Sequence, residues 1–194
     1  MNSFALFTDV SLNPRLKLGV GASLLVPASF LEVPPQGIER SVINKYLVLQ
    51  RIENTSSTRL EVQTVLLGLE DYQKLLKAFG TGELRIYTDS QCVAGLLKRR
   101  PALEANDFLS KKTNSLLSNA VLYQRFYKLF DELGFEIIKL PGHSRSCSRD
   151  TIDCIFSSVD VEARKELKLW MNLLKPGGEP IKIKRAAGTM VLGE

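Results

Sequence analysis

Short apolar runs bounded by Gly, Pro and Asn open this chain, and stretches in which apolar residues return every three or four positions follow them. Residues 4–8 (Phe4-Ala5-Leu6-Phe7-Thr8) read as a buried strand, and residues 19–26 (Gly-Val-Gly-Ala-Ser-Leu-Leu-Val) as a second. A loop carrying Asn13-Pro14 joins them. Pro27, Pro34, Pro35 and Gly37 mark a longer connection to a third strand, from about Asn44 to Ile52. Three strands with no helix between them predict an antiparallel meander.

The period then changes. Val62, Val65, Leu66, Leu69, Tyr72 and Leu76 recur at helical spacing behind Ser56-Ser57-Thr58, a helix start signal, and Gly80 and Gly82 close the run. Residues 84–88 form strand four. Ser90 opens a helix through Val93, Leu96 and Leu97, which Pro101 is expected to interrupt. A polar stretch over 104–115 precedes a helical run from Leu116 to Leu133; Gly134 stops it, and Phe135–Leu140 reads as strand five. The loop Pro141–Ser148 leads into a helix bearing Asp153, which Ser157-Ser158 is expected to break before an amphipathic helix from Asp160 to Leu174. The order β-β-β-α-β-α-α-β-α predicts a mixed sheet flanked by helices in one α/β domain over residues 1–175. Residues 176–194, opened by Pro176-Gly177-Gly178, read as a short and loose C-terminal tail.

Composition narrows the function classes only a little. At 194 residues the chain suits one domain with a sizeable core. A formal charge of +5 permits a polyanionic partner without requiring one. Three cysteines with no C-x-x-C pair fit reduced thiols. No signal peptide is read at the N-terminus, and no apolar run is long enough to cross a bilayer, so a cytoplasmic protein is expected.

The chemistry lies in acids. Asp9 and Asp89 each end an apolar strand in the dipeptide Thr-Asp, while Glu61 and Asp153 sit near predicted helix starts. The only histidine, His143, lies just upstream of Asp153. Carboxylates gathered at strand ends repel one another unless divalent cations lie between them, which points to metal-assisted chemistry. Singly, each residue has a plainer role. Thr58-x-x-Glu61 is a capping-box signature, Asp89 precedes a helix start where an acid complements the dipole, and Asp9 can begin a turn. Five such residues in order favour a site.

These residues resemble ribonuclease H of the type 1 family. The resemblance rests on Phe7-Thr8-Asp9-Val10-Ser11, Thr58-Arg59-Leu60-Glu61, Tyr87-Thr88-Asp89-Ser90-Gln91-Cys92-Val93, Leu122-Tyr123-Gln124-Arg125-Phe126, and Leu140-Pro141-Gly142-His143 followed by Asp153. It covers residues 4 to 165 and implies an RNase H-like fold, with three antiparallel strands and then two parallel ones. It implies that Asp9, Glu61, Asp89 and Asp153 ligate two Mg²⁺ ions, with Mn²⁺ able to substitute. One ion would activate water and the other steady the leaving 3′-oxygen. The implied reaction cuts the RNA strand of an RNA/DNA hybrid to 5′-phosphate and 3′-hydroxyl ends, with His143 assisting proton transfer or product departure. Asp153 is preferred to Asp150 because the family's last carboxylate follows the histidine by about ten residues; Asp150 then caps the helix.

The same resemblance places hybrid contacts on Ser11, Asn13, Ser57 and Gln91, small polar groups suited to a minor groove bearing 2′-hydroxyls. Lys98-Arg99-Arg100 and Lys111-Lys112 flank the segment corresponding to the family's basic handle, although Glu104 and Asp107 dilute it. Val10 stands where the family has glycine, Ser57 where asparagine is common and Arg149 where asparagine is frequent. Tyr123 and Phe126 are expected in the core. The competing expectation keeps the fold but not the catalysis: a nucleic-acid-binding module of a larger assembly. Nothing requires more than a monomer.

Overall fold

The computed structural model describes residues 2–141 and 150–174. Five strands form one mixed sheet in the order β3-β2-β1-β4-β5. β1 (Asn2–Asn13), β2 (Leu18–Pro27) and β3 (Leu47–Ile52) make the predicted antiparallel meander. β4 (Gly82–Thr88) then lies parallel to β1, and β5 (Phe135–Lys139) parallel to β4. β1 is therefore central, and residues of opposite parity along it serve two cores. Phe4 and Leu6 join Leu84 and Ile86 beneath α2 (Ser57–Phe79) and α5 (Ala120–Leu133). Ala5 and Phe7 join Ala22, Leu24 and Tyr87 beneath α6 (Thr151–Leu173). Burial on both faces explains why residues 4–8 show little polar alternation.

Contact between α2 and β2 is close because β2 carries glycines there. A Cβ at Gly21 would collide with Thr64 Oγ1, and one at Gly19 would stand 3.0 Å from Thr55 Cγ2. This seats the first turns of α2, and Glu61 with them, against the sheet.

Several boundaries differ from the sequence reading. The connection after β2 is ordered into two 3-10 turns, Ala28–Glu32 and Pro35–Gly37, and a short helix, α1 (Arg40–Tyr46), so β3 starts at Leu47 rather than Asn44. Ile43 of α1 is 1% exposed and drops into the core under α6, which outweighs the strand pattern of the following residues. The break in the helical segment after β4 falls at Gly95, between α3 (Gln91–Ala94) and α4 (Leu96–Glu104); α4 runs through Pro101. α5 begins at Ala120 rather than Leu116, because Leu116 bridges to Leu109.

α6 is continuous across Ser157-Ser158. The Ser158 hydroxyl donates to the Cys154 carbonyl at 2.9 Å and is buried against the sheet side, so this serine is satisfied inside the helix without ending it. Tyr123 and Phe126 are core residues as expected. No helix among the described residues is long and apolar enough to cross a membrane. The tail expected from residue 176 lies outside the described residues.

Candidate active site

Pairing of Thr8 with Thr88 ends the parallel β1–β4 ladder, and the next residue on each strand is an aspartate. Asp9, within β1, and Asp89, just after β4, thus sit side by side on strands about 4.8 Å apart, the ordinary inter-strand spacing. Asp89 follows the carboxyl end of β4, where open α/β sheets bind ligands, while Asp9 lies within β1 just past its pairing with β4 and stays paired to β2 through Asn13. Asp9 continues the Ala5–Phe7 side of β1, toward α6.

α6 answers with Asp160. The Asp9 carboxyl donates a hydrogen bond to Asp160, and burial together with the charges of Asp89 and Asp160 pushes the Asp9 pKa up to about 8. Burial is the largest cause; a hydrogen bond from the Val10 backbone opposes it. Asp160 in turn accepts from Arg164 Nε at 2.6 Å and from Arg164 Nη2 at its other oxygen. The sequence reading missed Asp160, assigning it to the start of a separate helix. A continuous α6 turns it toward β1. The signal was present in the apolar spacing Ile155, Val159, Ala163, Leu167, Trp170, which runs unbroken through the two serines.

Asp153 lies in the first turn of α6, where its backbone N–H donates to Asp150 Oδ1 at 2.8 Å. Asp150 is therefore the helix cap, as expected. Asp153 precedes Asp160 by two turns on the same face, about 10 Å along the axis.

Glu61 is held by hydroxyls. Its Oε1 accepts from Ser57 Oγ at 2.9 Å, and its Oε2 from Ser90 Oγ at 2.6 Å. Ser90 is the residue after Asp89; it caps α3 by accepting from Val93 N, and its own N–H donates to Thr88 Oγ1. Glu61 is thus tied to the β4 end that carries Asp89. The capping box with Thr58 does not form: Ser56 caps α2, accepting from Arg59 N.

The remaining sequence candidates are dispersed. Ser11 follows Asp9 by two positions on the same side of β1. Ser57 and Gln91 are exposed at the first positions of α2 and α3. Asn13 sits at the hairpin tip, where its Oδ1 accepts from Arg15 N and Leu16 N and its Nδ2 donates to Met171 Sδ. Both ends of its amide thus hold the turn. In the basic segment, Arg100 forks onto Asp131 and Glu104, and Arg99 donates to the Cys92 carbonyl, whereas Lys98, Lys111 and Lys112 are exposed. His143 and Arg149 lie outside the described residues.

The donors gathered here are all carboxylate oxygens, the type hard divalent cations prefer. Burial, more than the neighbouring charges of Asp89 and Asp160, raises the Asp9 pKa. Among the described residues, no group of three or more His, Cys, Asp or Glu forms a metal-holding cluster.

No family model matches the sequence, and no curated relative does. Solved structures do. A foamy viral protease-reverse transcriptase in complex with dsDNA is 13% identical with a TM-score of 0.53, over 83% of this chain and 94% of that one. A second structure of foamy viral protease-reverse transcriptase, in complex with an RNA/DNA hybrid, is 12% identical with a TM-score of 0.55. That match covers 84% of this chain and 19% of the other. With the observed strand order, the likeness defines the class: this is an RNase H-like fold, a five-stranded mixed sheet flanked by helices. At these identities the likeness extends to the fold and no further.

Proposed function

We propose that the protein is a nuclease of the ribonuclease H type 1 kind, hydrolysing the RNA strand of RNA/DNA hybrids with two divalent cations, Mg²⁺ or Mn²⁺. The observation that carries this reading is the meeting of Asp9 with Asp160, beside Asp89, where the parallel pairing of β1 with β4 ends. Asp9, Asp89 and Glu61 would hold the ions, with Asp160 supplying the carboxylate from α6. Asp153, two turns nearer the helix start, is the ligand that the family spacing implies. When bound, such ions supply positive charge to a phosphate and lower the pKa of a water.

The chain's own residues supply position. Ser57 and Ser90 fix the Glu61 carboxylate, and Arg164 fixes that of Asp160. Ser11, Ser57 and Gln91 would offer small hydroxyl and amide groups to a minor groove. His143, nearby in the family pattern, would move a proton to or from the departing group.

The test is a labelled RNA/DNA hybrid, duplex DNA and duplex RNA, each incubated with Mg²⁺ or with chelator. Cleavage confined to the hybrid and to Mg²⁺ is expected. Retention of the hybrid without cleavage would replace this reading with that of a nucleic-acid-binding module.

A further inference from the structure

From Val10 to Leu31 the only charged residues are Arg15 and Lys17, at the tip of the β1–β2 hairpin. Both are exposed, and among the described residues neither forms an ion pair, whereas Arg51, Arg85, Arg100 and Arg125 all lie against carboxylates. The adjoining loop brings one exposed acid, Glu53, against these two cations. The shape of the tip is fixed from both sides. Asn13 Oδ1 accepts from Arg15 N and Leu16 N, its Nδ2 donates to Met171 Sδ on α6, and the Lys17 carbonyl accepts from Thr55 N at 3.2 Å. Lys17 stands at φ 53°, a conformation that glycine enters freely and lysine rarely. Closure of the hairpin alone would favour glycine there, so the lysine carries a conformational cost that a contact beyond the protein would offset.

We propose that the hairpin tip is a clamp for the backbone of a nucleic-acid duplex, with Arg15 and Lys17 each taking a phosphate and Asn13 positioning them. The proposal rests on the reading of this protein as one that acts on nucleic acid. β1 runs on as strand from Asp9 to Asn13, about 13 Å at ~3.3 Å per residue. The clamp therefore grips the duplex about four base-pair steps of ~3.4 Å from Asp9. Both ends of the Asn13 amide are spent inside the protein, so the contact expected of Asn13 passes to the two cations that it presents. Phosphate contacts of this kind hold a duplex in place without reading its bases.

Fluorescence anisotropy with the full chain in chelator, over a series of KCl concentrations, tests this on a labelled RNA/DNA hybrid, duplex DNA and duplex RNA. Arg15→Gln and Lys17→Gln should each lower the slope of log affinity against log salt by about 0.9 on duplex DNA, and similarly on the other two. Asn13→Ala should lower the slope in the native chain but not in the Arg15→Gln, Lys17→Gln double variant. Lys17→Gly removes the charge while easing the turn, so a slope lost there does not come from a damaged hairpin. Lys77→Gln, in the last turn of α2, removes a charge elsewhere and should leave the slope as it is. An unchanged slope in the double variant would overturn the proposal, as would an equal drop in Lys77→Gln. Phosphatidylserine vesicles test the rival partner, since Leu16 between the two cations is 57% exposed. Vesicle binding lost in the double variant, with duplex slopes intact, would assign the tip to a membrane and overturn the clamp. A native chain that binds no duplex would remove the clamp together with the reading it rests on. Hybrid cleavage with unaltered slopes would remove the clamp alone.

Discussion

Asp9 shows how one side chain can set stability and chemistry against each other. Its folded pKa, about 8, is raised above the unfolded value of 3.8, so the native protein keeps a proton that the unfolded chain releases. That contribution is complete below the unfolded pKa and is lost as pH rises through about 8. Asp9→Asn keeps the shape and a donor for Asp160 while removing the titration. In chelator, the variant should therefore melt several degrees above the native protein at pH 8 and close to it near pH 4, by calorimetry. Saturating Mg²⁺ should shrink the gap, because the cation stabilises the carboxylate and not the amide. An Asp9→Asn protein less stable than native at pH 8 in chelator would mean that Asp9 is not destabilised by its surroundings. The same substitution should abolish hybrid cleavage.

Helix α6 brings Asp160 to Asp9, and it is also where the sequence was least legible. The β1–β2–β3 meander, the parallel pair and both Thr-Asp ends could be read from apolar runs, because strand parity and a Thr-Asp terminus are local signals. The fate of Ser157-Ser158 could not. Serine ends a helix when its hydroxyl competes for the backbone in solvent, and stays within one when burial directs that hydroxyl to the carbonyl four residues back, as Ser158 does. Local sequence does not specify which occurs, and the position of Asp160 depends on it. The short α1 was missed for a related reason: its buried Ile43 packs against elements distant in sequence. The two α6 acids are separable by paired variants. Asp160→Asn is expected to lower hybrid-cleavage kcat by at least about a hundredfold, the loss typical of a catalytic charge, and Asp153→Asn by much less. The reverse order would favour Asp153 as the ligand, as the spacing from His143 implies.

The whole fold works by convergence. Two aspartates come from neighbouring strands, Glu61 from a helix on one face of the sheet, and Asp160 from a helix on the other. The sheet is buried on both sides, so neither helix can shift without disturbing a core, and glycines in β2 let α2 approach closely. The cost of burying Asp9 beside Asp89 and Asp160 is thus sustained by packing elsewhere. Anomalous diffraction from crystals grown in Mn²⁺ addresses this directly. Peaks within coordination distance of Asp9, Asp89 and Asp160 are the expected result. An anomalous map with no peak among these carboxylates at saturating Mn²⁺ would contradict the account.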